Sequence, residues 1–559
     1  MKNIISSEKF ILSFIILLSI LLRISNITFD LPQGRGLEHL EIMRALELGM
    51  GKFNFERITK GGLFYVLFVE YGALYIILSL FGIVRSSQEF ALYYMNNPSI
   101  FWIIGRLTSA IMGTFSVVIL FFIGKKIYDY KTGFISSFLF AIYPIHVKFS
   151  HIVCVDIPMV MFALASFYFI VLLYENGLIK NYIVAGLFIG LAVMNKFPAI
   201  VLLCPLMLAH YWRQRAEPGG SVRWMERRLL VSLGVMGLIY LAGTPGLVAS
   251  PGKVVDIITQ ISQGKTQLTA YSGKTPVLWM VYLSHFFETL GIPLFLFFGG
   301  GIFRAALKGM VPERCMAIFC LLFYIGLSTS GFREWSNHYT LPIVPFGLLL
   351  ASRMLLASGA FLERLHINNL VAVSLLLILS SLPLTRLNLA QAHEFNTPNT
   401  NTLAKEWIEN NVPPGKRILL YGLPGLTYTQ IVPLKDLPGN LLKMAEESEK
   451  MGNKVKATYL RMKATSQTGI AYDLVALHTR RMIWESPSYY REQGIDYIII
   501  DTLYFDDEEE VQYAKEQNDS RKKFYRQLPE DSQVKLIKVF DPEELKFRGP
   551  KLEIYKIRG

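Results

Sequence analysis

The chain of 559 residues is 52% hydrophobic and only 18% charged, with a formal net charge of +13. Soluble proteins carry about a quarter charged residues, so this composition excludes an ordinary soluble fold and makes the bilayer the expected solvent. Residues 390–559 hold 25 Lys+Arg against 25 Asp+Glu, so the whole excess lies in residues 1–389, where basic residues beside apolar runs set membrane topology rather than bind nucleic acid.

The first apolar run, Phe10 to Leu22, follows Lys2 and Lys9 and has no small-residue cleavage site after it, which predicts a retained signal anchor. At roughly 20 apolar residues per span, eleven spans are predicted, centred on residues 10–27, 102–123, 133–149, 157–174, 182–194, 198–212, 229–248, 277–302, 314–329, 340–353 and 368–385. The stretch 62–84 is also apolar, and charge decides its place. If it does not cross, one set of loops carries Lys125, Lys126, Lys131, Lys180, Arg213, Arg215, Arg223, Arg227, Arg228, Arg304, Lys308, Arg314, Arg353 and Arg364. The opposite loops after residue 149 carry only Lys196, Lys253, Lys265, Lys274 and Arg333. The basic set is then cytoplasmic, and 62–84 lies in or dips into the outer interface. Residues 28–101, 249–276 and everything after about 390 face outward, so function is sought there. Cys154, Cys204, Cys315 and Cys320 lie in or beside apolar segments without zinc-like spacing and read as small buried hydrophobes.

The predicted organisation is a transmembrane domain, 1–389, with a first outer loop at 28–101, and an extracytoplasmic α/β domain, 390–559. In the latter, Thr402 to Asn411 reads as a helix closed by Pro413-Pro414-Gly415, followed by a strand at Arg417 to Tyr421. Further strands are predicted at Tyr497 to Asp501, Val534 to Phe540 and Lys551 to Ile557, with a charged helical stretch around Asp506 to Gln527.

Candidate chemistry gathers at the outer ends of spans. Glu38 and Glu41 share a helix face in the first loop; they either favour the helix start through its dipole or offer a general base. Asp156, in "SHIVCVDIPM", is either a helix cap or a functional acid at the membrane edge, with Pro158 at the helix start. Arg106 and Lys196 would neutralise a phosphate or reach toward lipid headgroups. Lys60, ahead of the interfacial stretch, suits an anionic headgroup or an ordinary lipid contact. Arg333, His338 and Tyr339 crowd another outer loop, and His338 can hydrogen-bond a sugar or phosphate. His146, His151 and His285 lack metal-ligand spacing, so no metal is assigned and no cofactor is required.

Several stretches, in order, carry a resemblance: "LEHLEIMRAL", "KGGLFY", "GRLTSAIMGTFSVVILFFIGKKIY", "AIYPIHVKFSHIVCVDIPM" and "GLFIGLAVMNKFPAIVLL", with "AKEWIENNVPPGKRI" and "FDPEELKFRGPKLEIYKIRG" near the end. The chain resembles the C-type glycosyltransferases of the protein O-mannosyltransferase superfamily, which includes dolichyl-phosphate-mannose transferases and bacterial aminoarabinose transferases. The resemblance implies a plasma-membrane enzyme that uses a polyprenyl-phosphate-linked sugar, an inverting displacement onto a protein, lipid or glycan acceptor, and a first-loop active site. It further implies Glu38 and Asp156 as catalytic residues and Lys60, Arg106 and Lys196 as phosphate-binding ones; His39, Arg333, His338 and Tyr339 are further candidates for substrate binding. Leu37 stands where the family carries an aspartate. Two other readings stay open: a lipid-linked-sugar binding protein without turnover, motivated by Leu37, and a transporter or flippase, which would place charges near the midplane rather than at span ends.

Overall fold

The computed structural model describes residues 2–31, 36–49, 61–217, 220–249, 252, 277–329, 336–421, 430–477, 484–502 and 515–557. Among them, seven helices are long and apolar enough to cross a membrane, or eight if the broken pair Tyr130–Ala141 and Pro144–Ser150, bent by 61°, is one span. Six of the predicted spans overlap Ser99–Ile127, Asp156–Asn176, Leu278–Lys308, Val311–Thr329, Val344–Glu363 and Asn369–Asn396, three of them starting one to four residues before the helix. The seventh is Leu63–Leu80, inside the stretch expected at the interface.

Of the remaining predicted spans, four are interrupted or short, for local reasons, and the fifth overlaps the first helix. Ile179–Asn195 has 17 residues, about 26 Å at 1.5 Å per residue against a hydrocarbon core of about 30 Å. The 198–212 stretch divides because Pro198 opens a 3-10 turn, Phe197–Leu202, before a helix at Leu203–Ala216. Pro245 ends the helix Arg227–Gly243 and starts a short one, Pro245–Ala249, since proline lacks the N–H that would continue the ladder. The first helix, Lys2–Ile24, buries Arg23 and Ser19 inside the bundle. Its Arg23 Nη2 meets His146 Nδ1 at 2.8 Å and its Nη1 donates to the Ala141 carbonyl at 3.2 Å, across the break of the bent pair. That guanidinium satisfies a backbone acceptor which the bend releases from the helix.

Among the described residues, five strands form one sheet: β1 Arg417–Tyr421, β2 Asp473–Leu477, β3 Tyr497–Asp501, β4 Val534–Phe540 and β5 Leu552–Ile557, in the order β2-β1-β3-β5-β4. The pairs β1–β2 and β1–β3 are parallel; β3–β5 and β4–β5 are antiparallel. Successive side chains point to opposite faces. Ile418, Leu420, Tyr497 and Ile499 therefore pack with Ala404 and Ile408 of the helix Thr400–Asn411. Leu419, Ile498 and Ile500 pack on the other face with Trp484, Tyr490, Phe524 and Leu528. Covering on both faces is why β3 reads YIIID, a continuous apolar run rather than an alternating one. Strand β2, at the sheet edge, was not among the predicted strands. The observed helix Lys515–Gln527 lies within the predicted charged stretch, whose residues 506–514 are outside the described set.

Candidate active site

Two ionic clusters stand where helices of the bundle begin and end beside the first loop. The first joins the helices Gly36–Gly49 and Ser99–Ile127. Arg106 Nε and Nη2 donate to Glu38 Oε1 and Oε2 at 2.9 and 2.8 Å, and both side chains are wholly buried. Arg106 Nη1 donates to the carbonyls of Ile27 and Phe29, each at 2.7 Å, and the guanidinium lies 4.2 Å over the Phe29 ring. Glu38 Oε1 also accepts the Val153 N–H at 3.0 Å. A bidentate pair with each oxygen and nitrogen engaged is the arrangement in which burying two charges is tolerated. Glu38 and Arg106 thus meet each other. His39, also buried, has its imidazole pushed down to about 3 by burial, which keeps it neutral at neutral pH. Glu41 takes Arg44 Nη1 at 2.7 Å.

The second cluster gathers three segments. Val155 is the residue before the helix Asp156–Asn176, so Asp156 opens its first turn, with Pro158 beside it. Asp156 is 4% exposed, and its carboxylate accepts from Lys196 Nζ at 2.6 Å. Lys196 closes the helix Ile179–Asn195 in an extended conformation, φ −153° and ψ 117°, which turns its side chain out of the helix and across to Asp156. The third contributor is the 3-10 turn Asn337–Thr340. There His338 Nε2 lies 3.9 Å from Asp156 Oδ2, its Nδ1 is 2.6 Å from Ser336 Oγ, and its ring packs against Phe149 at a tilt of 34° with the ring centres 4.5 Å apart. The Tyr339 ring lies 4.5 Å from Lys196 Nζ. A carboxylate, an ammonium, an imidazole and an aromatic face within one small volume can accept a proton, balance an anion and stack against a sugar ring.

The "KGGLFY" glycines have a packing reason. A Cβ on Gly61 would sit 1.6 Å from the Gly243 carbonyl oxygen, and Gly62, at φ +112°, would press on the Asn195 side chain at 2.5 Å. Only glycine fits, and the segment is stitched by Gly61 N–H donating to the Met194 carbonyl at 2.8 Å, two residues before Lys196. Lys60 and Arg333, both expected near the site, lie outside the described residues, as does the side chain of Leu37.

Of the expected residues, the structure brings Asp156, Lys196, His338 and Tyr339 together and pairs Glu38 with Arg106. Reasoning from sequence passed over Val153, whose N–H links Glu38 to the Asp156 loop, and Ser336, which holds His338. Neither backbone donors nor single serines leave a pattern in a linear sequence. It also passed over Glu70, half-buried on the apolar helix Leu63–Leu80, whose carboxylate accepts from Thr108 Oγ1 at 2.7 Å. Among the described residues no group of three or more His, Cys, Asp or Glu is placed to hold a metal ion. A cavity of about 310 Å³, lined by Met43, Leu46, Phe68, Tyr75, Phe90 and Tyr459 among others, shares no lining with the Asp156 cluster.

Residues 101–243 match the family model described as dolichyl-phosphate-mannose-protein mannosyltransferase. Comparison with curated proteins finds no match. The fold is similar to that of ArnT from Cupriavidus metallidurans bound to undecaprenyl phosphate, with a TM-score of 0.51 at 13% identity, covering 100% of this chain and 99% of that one. Against apo ArnT the TM-score is 0.52 at 12% identity, with the same coverage. A weaker likeness, TM-score 0.46 at 13% identity, covers 89% of this chain and 69% of the archaeal oligosaccharyltransferase AglB from Archaeoglobus fulgidus. The helical bundle with its trailing sheet thus has a fold similar to that of ArnT, and residues 101–243 carry the mannosyltransferase family pattern. That pattern spans the segment that supplies Arg106, Asp156 and Lys196.

Proposed function

We propose that the protein transfers a sugar from a polyprenyl-phosphate donor to an acceptor hydroxyl on the extracytoplasmic face of the plasma membrane, by inverting displacement. The observation that carries this reading is the Asp156–Lys196 pair at 2.6 Å, flanked by His338 and Tyr339. In the reaction the acceptor oxygen bonds to the anomeric carbon as the bond from that carbon to the phosphate oxygen breaks. The hydroxyl proton passes to the Asp156 carboxylate, and the electron pair leaves with the polyprenyl phosphate. Lys196, with Lys60, balances the phosphate charge, a contribution of about 3–4 kcal/mol by analogy with oxyanion donors. His338, Tyr339, His39 and Arg333 would contact the sugar or phosphate.

Glu38 and Arg106 take a supporting role in this reading: their pair carries the Asp156 loop through Val153. The class of fold supports a lipid-linked donor, since undecaprenyl phosphate is bound in one ArnT structure. The charge asymmetry supports eleven spans with Leu63–Leu80 in the outer interface and residues 390–559 as an extracytoplasmic domain.

Leu37 favours one second reading, carrier binding without turnover. Mass-spectrometric turnover of polyprenyl-phosphate sugars by the protein in nanodiscs, with a membrane extract as acceptor, separates the two. A glycosylated product lost in Asp156→Asn supports transfer. Carrier binding without product, and product gained in Leu37→Asp, supports the second reading. Neither binding nor product would sink both.

A further inference from the structure

The segment "KFRGPK", between the short helix Pro542–Leu545 and β5, has no part in the sheet ladder, yet it reaches the first loop. Arg548 Nη1 donates to Asp30 Oδ2 at 3.0 Å and Nη2 to Asp30 Oδ1 at 2.5 Å, a bidentate pair across 518 positions in which both side chains are 11% exposed. The remaining guanidinium nitrogen, Nε, donates to the Thr397 carbonyl at 3.2 Å. Its backbone is pinned too: Arg548 N–H donates to the Pro398 carbonyl at 2.9 Å, and its own carbonyl accepts from Thr400 N–H at 2.7 Å. Gly549, at φ +103°, permits the approach, because a Cβ there would lie 2.2 Å from Thr400 Oγ1.

The other end is held in an unusual state. Asp30 sits at φ +57°, a left-handed conformation uncommon outside glycine, which aspartate takes more readily than most residues. Next to it, Phe29 stacks on Phe395 at 4.5 Å and has a guanidinium near its ring twice, Arg106 at 4.2 Å and Arg548 at 5.7 Å. The contacts then run without a gap: Arg548 to Asp30 and Phe29, Phe29 to Arg106, Arg106 to Glu38, and Glu38 to the Val153 N–H, three residues before Asp156.

We infer that Arg548 is a positioning residue, through which residues 390–559 hold the first loop in the geometry that the Asp156 cluster needs. The inference rests on the transfer reading above. Coupling of this kind changes rates by about three- to thirtyfold. The test uses the full-length protein in nanodiscs as wild type, Arg548→Ala, Arg548→Asp, Asp30→Arg and the double charge swap. Donor KM and kcat are read beside hydrogen exchange of peptides covering residues 25–49. The expected result is kcat reduced about tenfold in each single variant with donor KM within twofold, faster exchange over residues 25–49, and recovery of both in the charge swap. Wild-type kcat and exchange in Arg548→Ala would overturn the inference, and so would a loss that the swap leaves unrepaired. If the wild type itself has no turnover, the transfer reading has failed, and exchange alone decides whether the latch exists.

Discussion

Asp156 and Lys196 lie forty positions apart, one opening a helix and the other closing the next, and their side chains meet at 2.6 Å. The helices Asp156–Asn176 and Ile179–Asn195 are antiparallel neighbours joined by a tight turn at Gly177, so the start of one comes level with the end of the other. The helix dipoles favour an anion at the first position and a cation at the second.

Removing the acid should therefore act on chemistry more than on folding. Asp156→Asn is expected to reduce kcat by about 10²- to 10⁴-fold, while Lys196→Met reduces it by about 10²- to 10³-fold. Single-turnover transfer in nanodiscs checks both. An Asp156→Asn protein that turns over at the wild-type rate would remove Asp156 from the mechanism.

The Glu38–Arg106 pair predicts a different pattern. Glu38→Ala leaves a buried guanidinium uncompensated and should cost about 3–5 kcal/mol, seen as a lower unfolding midpoint, whereas the double variant Glu38→Met with Arg106→Met should be less destabilised than either single one. Should Glu38→Gln abolish turnover at wild-type stability, Glu38 would be the base rather than a support.

Gly61→Ala forces a methyl group into the Gly243 carbonyl, and backbone on both sides has nowhere to go. A destabilisation of about 1–3 kcal/mol is expected, with lost donor binding because the segment is tied to Met194. Gly72→Ala, with open space around it, is the control and should bind as wild type does.

In the helix Lys454–Ser466, burial pulls the Lys463 ammonium down from 10.5 to about 8, against an opposing attraction from Asp436. Folding is penalised while that proton is retained. Between about pH 8 and pH 10.5 the unfolded chain holds the proton and the folded one has released it, so this residue makes stability rise with pH across that window. Unfolding midpoints of the wild type and Lys463→Met at pH 7.5, 9 and 10 check the sign: the difference between them should narrow as pH rises.

Long apolar runs and the Lys/Arg excess were legible because they are local: hydrophobicity summed over some twenty residues sets membrane residence whatever the neighbours are. Strands β1, β3 and β4 were readable at their observed limits, and β5 to within one residue, for a similar reason, since short segments rich in Val, Ile and aromatic residues read as strands from local composition. Strand β2 was not, because Asp473–Leu477 becomes a strand through its ladder with β1, and that partner lies more than fifty residues away. The same distinction divides the site. Sequence supplied the residue types at span ends, including Asp156, Lys196 and His338. Only the tertiary structure decided that Glu38 and Arg106 neutralise one another while Asp156 keeps Lys196, because the partner a buried charge finds depends on which distant backbone is folded beside it.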